Sequence, residues 1–337
     1  MELFELAETL EAGRVLLWSD PVSGLRAVAV IDDLRLGPAA GGTRTGRYLD
    51  LAAMMREAAG LARAMSHKCA LAGLAAGGCK IVVLDRGEAW DRPAAFRRLG
   101  RHVAELGGLI HTAGDLGTGP EDLAAMRTGA PFVHADETRL AERVADGVAV
   151  CMEACAERRD RGLYGLAVAV QGCGAIGAAV ARRLAASGAR LSVSDLRPER
   201  AAAVARDTGA EVVAPERILE AAVDVVAPCA RGGVIDEAVA GRLRAWAVVG
   251  AANNILASPS AAVCLHARAI LHVPDAIASA GAVIEGIGKE VMGLVDTGPL
   301  IARLGVTAGE VLDEAAAEDL PESLVAARKA RDRLASC

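Results

Sequence analysis

The stretch Leu166-Ala167-Val168-Ala169-Val170-Gln171-Gly172-Cys173-Gly174-Ala175-Ile176-Gly177 decides the fold. Five apolar residues read as a short buried strand, three glycines at G-x-G-x-x-G spacing as a tight turn, and Ala178 onward as an Ala-rich helix. Gly172 permits the turn, Gly174 lets the backbone approach a pyrophosphate, and Gly177 lets helix and strand pack closely. The helix start offers aligned N–H groups and partial positive charge to phosphates, so contacts are expected at Ala175 and Ile176 as well. Glycines at any tight strand–helix turn would look the same, and the motif alone is weak evidence. Asp195 adds to it. It follows the next β-like run, Leu191–Ser194, about twenty residues on, where a carboxylate can accept from ribose hydroxyls and repel a 2′-phosphate. The expected cofactor is therefore NAD, with Leu196 beside the acid. Arg197 and Arg200 follow closely, and their cations would soften that preference.

Working outward, β-like runs recur at Val223–Ala227, Ala247–Gly250 and Ala269–His272, after a long helix at about 139–159. Strands alternating with helices predict a parallel sheet with right-handed crossovers. Upstream the pattern differs. A short amphipathic helix (Leu3–Ala12) precedes β-rich runs at Arg14–Trp18 and Leu25–Ile31, split by the turn Asp20–Gly24. Helical periodicity over 50–67 ends just before Lys68. A strand at Ile81–Leu84, a helix at Pro93–Leu106, a strand at Gly108–Thr112 and a helix at Pro120–Arg127 follow. The fold class is α/β in two domains. An N-terminal α/β domain is expected over 1–138, joined by a C-terminal helix at about 310–337. A Rossmann-type doubly wound dinucleotide-binding domain is expected over 139–309.

Composition sets the outer limits. The 337 residues are 53% hydrophobic, but the most apolar run, Leu166–Val180, is broken by Gln171 and three glycines, so no membrane span is expected. The start, Met1-Glu2-Leu3-Phe4-Glu5, lacks the basic and apolar regions of a signal peptide, and a cytoplasmic location is expected. A net charge of -6 with mixed signs argues against nucleic acid as a partner. Eight cysteines without a C-x-x-C pair, and six histidines without ligand-like spacing, predict buried free thiols and no metal site.

In the first domain Lys80 lies between Gly77-Gly78-Cys79 and the apolar run Ile81–Leu84. An ammonium there is costly unless its pKa drops or it gains a partner. A lysine of lowered pKa can act as a general base; the plain alternative is a snorkelling side chain at a strand start.

Several ordered elements together resemble the Glu/Leu/Phe/Val dehydrogenase family, and its leucine/phenylalanine branch most. Gly37-Pro38 with Gly41-Gly42-Thr43-Arg44 is similar to its GPxxGGTR element, and Met65–Lys68 through Gly77–Lys80 to its MxxKxAxxxxxxGGxK signature. Thr112–Thr118 is similar to TAxDxGT. Ala227-Pro228-Cys229-Ala230, Ala252-Asn253-Asn254 and Val273-Pro274-Asp275 are similar to blocks of the second domain. The resemblance implies NAD-dependent oxidative deamination of an L-amino acid to its 2-oxo acid and ammonia. It implies a small-molecule substrate and a homo-oligomer held by the first domain. Lys68 would pair with the substrate carboxylate near Gly42, Lys80 would activate the attacking water, and Asp115 would shuttle a proton to and from the nitrogen. The pKa of Lys80 would be lowered by burial and by Lys68. Asn254 would hold the substrate or nicotinamide end, and Cys229, Ala230, Ala252 and Asn253 would border the cofactor. Domain closure would exclude water.

The sequence also departs from the family. His134–Val148 lacks the SGxPSPxTAxGV pattern, with Val144 where a Thr is usual; Ser279 replaces the Asn of an NAGG block; Gly114 replaces an acid. These departures leave open a homologue with altered or lost activity, acting in a specialised pathway or as a nucleotide-binding partner. Ala40 stands where the glutamate enzymes carry a lysine, which excludes a distal carboxylate. Ala113 and Val283 are leucine-like, and Gly286 replaces an aliphatic side chain. Two large-to-small changes in one pocket predict a bulky hydrophobic side chain such as phenylalanine or tryptophan.

Overall fold

The computed structural model describes residues 3–135 and 138–336, and the chain divides into two compact units. The first comprises Met1–Asp136, Gly286–Val295 and Ala330–Cys337, and the second Glu137–Glu285 and Asp296–Lys329.

In the first unit the order is α1 (Leu3–Thr9), β1 (Arg14–Asp20), β2 (Leu25–Ile31), β3 (Ala39–Gly46), α2 (Leu51–Ala72), β4 (Gly77–Leu84), α3 (Arg92–Glu105), β5 (Ile110–Gly114) and α4 (Pro120–Arg127). The five strands form one sheet in the order β1-β2-β4-β3-β5, antiparallel at β1/β2 and β2/β4 and parallel at β3/β4 and β3/β5. Alternation sends Ala27, Ala29, Ile31, Cys79, Ile81 and Val83 to a core with Phe96, Leu99 and Leu123 from α3 and α4. The opposite face carries Val28, Val30 and Val82 against Met54, Met55, Ala58 and Ala62 of α2.

Two sequence expectations change here. α2 does not stop before Lys68; it runs to Ala72, because its stop signal is Gly73 in the left-handed conformation (φ 75°) and nothing in Lys68-Cys69-Ala70-Leu71-Ala72 breaks a helix. At its start, Asp50 caps the helix by accepting from the Ala53 N–H at 2.7 Å. The second change is β3, which no pattern in the sequence marks as a strand. Its glycine-rich run Ala39–Gly46 has poor strand propensity, yet β4 and β5 pair with it on both sides and impose extension.

The second unit contains α5 (Leu140–Glu157), β6 (Ala167–Gln171), α6 (Ala175–Ala186), β7 (Arg190–Ser194), α7 (Pro198–Thr208), β8 (Glu211–Val212), β9 (Val225–Pro228), α8 (Glu237–Arg242), β10 (Ala247–Val248), α9 (Pro259–Ala267), β11 (Leu271–His272) and α10 (Asp275–Ala278). α11 (Gly281–Glu290) crosses into the first unit, α12 (Gly298–Glu318) lies in the second, and α13 (Glu322–Ala335) ends in the first. The six strands are all parallel, in the order β11-β10-β9-β6-β7-β8. Numbered from β6, that is the doubly wound order whose switch point lies between β6 and β9. The C-terminal expectation needs correction: α12 packs along α5, and the chain rejoins the first unit only from Ala330, not from about 310. No helix among the described residues is long and apolar enough to cross a membrane.

Candidate active site

In the first unit the site lies on the sheet face that α2 covers. Parallel register sets residues in rows: Ala40 pairs with Gly78 and with His111, and one step further Gly42 falls opposite Lys80 and Ala113. Gly78 is what lets α2 lie close: a Cβ there would sit 2.3 Å from both the Ala62 carbonyl oxygen and the Ser66 nitrogen. That close approach carries Lys68, buried on α2, over the same face.

Lys80 is 6% exposed, and its Nζ lies 2.5 Å from Asp115 Oδ2. Of the two escapes open to a buried ammonium, the structure shows a partner. Arg44 holds the same carboxylate, with Nε 2.9 Å from Oδ2, while its Nη1 donates to Glu57 Oε1 at 2.6 Å. Burial would raise the Asp115 carboxyl, but Lys80 and Arg44 outweigh it and hold it below the usual carboxylate range. Gly42 is what lets β3 lie against this pair, since a Cβ there would stand 3.0 Å from Lys80 Nζ and 2.9 Å from Asp115 Cβ. A proton can pass within the pair.

In the sequence Arg44 stands only as the last residue of the Gly41–Arg44 motif. Once β3 is recognised, alternation places it on the face of Ala40 and Gly42, so the missing signal was the strand itself. His134 was also missed. Expected to begin the interdomain loop, it instead extends the sheet beyond β5. Val133 bridges Thr112 in parallel, the Thr112 N–H donates to the Phe132 carbonyl at 2.9 Å, and the His134 N–H donates to the Thr112 carbonyl at 2.6 Å. Gly286 lies beside it: a Cβ there would be 3.6 Å from the His134 ring.

In the second unit the strand ends at the switch point gather the expected cofactor residues. Gly172 has φ +97°, and a Cβ on it would strike Ala230 at 2.7 Å; a Cβ on Gly177 would be 1.9 Å from the Gly172 carbonyl oxygen. Cys229 and Ala230 follow β9, with the Cys229 N–H donating to the Gln171 carbonyl at 2.7 Å, and the Ala252 N–H donates to the Pro228 carbonyl at 3.0 Å. Asp195 follows β7, its Oδ2 accepting from the Cys173 N–H at 2.7 Å and its Oδ1 from the Arg197 N–H at 2.8 Å. It thus fastens the glycine turn, and each oxygen keeps a further lone pair. Ile176 and Leu196 are exposed, and Ala175 starts α6. Arg200 reaches to 3.9 Å from where a Cβ on Gly174 would stand. The cradle fits a dinucleotide: positive-φ glycine turn, open helix start and carboxylate occur together.

Asn254, Val283, Val144 and Ser279 also belong to the second unit. Asn254 adopts φ 52°. Val144 is buried in α5 against the start of α11, where a Cβ on Gly281 would sit 2.9 Å from its nitrogen. Ser279 donates to the Asp275 carbonyl at 2.7 Å and approaches Asn253 Oδ1 at 3.4 Å, so its hydroxyl is tied to a residue expected at the cofactor. Among the described residues, five of seven cysteines are buried and no group of three His, Cys, Asp or Glu is placed to hold a metal.

Residues 15–130 match the Glu/Leu/Phe/Val dehydrogenase dimerisation domain, and residues 197–287 match the Glutamate/Leucine/Phenylalanine/Valine dehydrogenase family model. Residues 137–231 match the NAD-binding domain of D-isomer-specific 2-hydroxyacid dehydrogenases. The chain is 35% identical to leucine dehydrogenase of Geobacillus stearothermophilus over 292 residues, 84% of this chain and 80% of that protein. This chain belongs to the Glu/Leu/Phe/Val dehydrogenase family. It is 32% identical to phenylalanine dehydrogenase of Lysinibacillus sphaericus over 285 residues, 81% of this chain and 75% of that one. The crystal structure of L-tryptophan dehydrogenase from Nostoc punctiforme superposes with a TM-score of 0.87 at 31% identity, covering 99% of both chains. The chain is accordingly an amino-acid dehydrogenase that works with a nicotinamide dinucleotide.

Proposed function

We propose that this family member catalyses NAD-dependent, reversible oxidative deamination of a bulky hydrophobic L-amino acid to its 2-oxo acid and ammonia. The observation that carries the reading is the pair of buried Lys80 and half-buried Asp115, 2.5 Å apart and packed against Gly42. Lys68 supplies a fixed cation for the substrate carboxylate. Asp115, ionised between two cations, takes a proton from the substrate ammonium. Lys80, entering this step as the neutral amine, takes a proton from water as it attacks the imino carbon, and hands it on through Asp115 to the leaving nitrogen. A nicotinamide dinucleotide held by the glycine turn Gly172–Gly177 and Asp195 would supply the hydride acceptor for Cα. Arg44 keeps the Asp115 carboxylate aimed at Lys80, so the proton path does not need to be reassembled at each turnover.

A hydrophobic substrate is supported by Ala40, which is buried on β3 and offers no cation to a distal carboxylate. NAD is supported by Asp195, with Arg200 as the opposing influence. The test is NADH formation at 340 nm with a panel of L-amino acids at alkaline pH, run with NAD and with NADP. Turnover is expected with phenylalanine, tryptophan or leucine and not with glutamate, and with NAD above NADP. Valine preferred over phenylalanine and tryptophan would sink the bulky-substrate reading. No turnover with any amino acid would sink the reaction.

A further inference from the structure

The sheet row that holds Lys80, Gly42 and Ala113 continues onto His134. The bridge from Thr112 to Val133 sets Ala113 beside His134, and Val133, in the core beneath, confirms which way the alternation runs. The imidazole therefore stands on the site face, beside Ala113 and 3.6 Å from where a Cβ on Gly286 would stand. His134 Nδ1 lies 3.3 Å from Glu290 Oε1. A carboxylate only accepts, so in the neutral ring Nδ1 carries the proton and Nε2 is left as a lone-pair acceptor. Nε2 is buried and has no hydrogen-bond partner among the described residues. A Cβ on Gly286 would be 3.7 Å from it. An acceptor left dry in this way costs stability until a donor reaches it. Its two small neighbours, Ala113 and Gly286, present at most a methyl group, so a ring entering here meets the imidazole edge. In the adjoining row His111 holds Phe132 edge-on at 5.3 Å, which brings two of the chain's six histidines and one of its three phenylalanines to this end of the site.

We propose that His134 reads the substrate side chain by accepting a hydrogen bond from an aromatic N–H, which makes an indole-bearing amino acid the preferred substrate. Glu290 is the positioning residue that sets the tautomer. The proposal rests on the bulky-substrate reading above and narrows it from apolar bulk to a ring with a donor.

The test compares kcat/KM for L-tryptophan, L-phenylalanine and L-3-(3-benzothienyl)alanine, whose ring has nearly the shape of indole but carries sulfur in place of N–H. The wild type should favour tryptophan over the benzothienyl analogue about tenfold or more. His134→Leu should bring that ratio to within about threefold, lowering tryptophan turnover more than phenylalanine turnover. Glu290→Gln, which unsets the tautomer without removing the ring, should lower the same ratio and leave phenylalanine unchanged; a merely structural role would move both substrates together. A wild-type ratio near one overturns the proposal without need of any variant, and so does a ratio that survives in His134→Leu. Oxidation of leucine or phenylalanine without tryptophan overturns this proposal and leaves the deamination intact. Silence with every amino acid overturns both.

Discussion

Asp115 is held by two cations, and that makes the consequences of removing each group different. Without Lys80 the carboxylate still has Arg44, so Lys80→Ala should fold. We expect kcat to fall about a thousandfold, as for loss of an acid–base group, with dinucleotide binding unchanged by fluorescence titration. Asp115→Asn instead leaves a buried ammonium without its counter-charge, so activity and stability should drop together, stability by about 2 kcal/mol in a urea melt. If Lys80→Ala retained full kcat, the assigned proton path would be wrong. A second residue-scale effect lies away from the site. His272 is fully buried with both ring nitrogens unpartnered among the described residues, and burial pushes its pKa down from 6.5 to about 4. A folded-state pKa below the unfolded value means that the unfolded chain takes the proton first. The neutral ring's stability is therefore complete above about pH 6.5 and is lost as pH falls from there toward about 4, by on the order of 3 kcal/mol. His272→Leu should flatten the stability–pH curve in that window, and an unchanged slope would remove His272 as its cause.

At the scale of elements, the glycine turn between β6 and α6 is a contact between backbones. A Cβ on Gly177 would stand 1.9 Å from the Gly172 carbonyl oxygen, a distance no rotamer can relieve, so Gly177→Ala must shift α6 away from the strand end. The expected result is NADH affinity weakened at least tenfold by fluorescence titration, with a melting temperature lowered by several degrees. Unaltered affinity would show that the turn does not hold the dinucleotide. This element was legible because its sequence meets a local demand: apolar strand, glycines, helix and acid fall in one short run. β3 was not legible, because Ala39–Gly46 has no local preference for a strand and takes its extension from neighbours on both sides. The same blindness hid Arg44 and His134. Their place on the site face follows from alternation along an element that only pairing reveals.

At the scale of the molecule, β1 forms one edge of the first unit's sheet, paired only with β2, and exposes Leu17 on that edge. An exposed edge strand with an apolar residue invites another strand. We expect the native mass by light scattering to be a multiple of 34.5 kDa, and Leu17→Asp to lower it. A monomeric wild type would overturn the expectation. The chain's path bears on the same scale. Gly286–Val295 returns to the first unit before α12 continues in the second, so Gly286 and Glu290 come to lie beside His134 across more than 150 residues of sequence. No local pattern encodes such a return.

The sequence alone determined the doubly wound second domain, the family and the identities of Lys68, Lys80 and Asp115, because each depends on short-range spacing that local chemistry demands. Tertiary structure alone decided that Lys80 is paired with Asp115, that Arg44 clamps its partner, and that His134 joins the sheet row of Lys80, Gly42 and Ala113. Those facts depend on sheet register and on chain segments far apart in sequence, and a buried charge or a dry acceptor has no meaning until packing has removed the water around it.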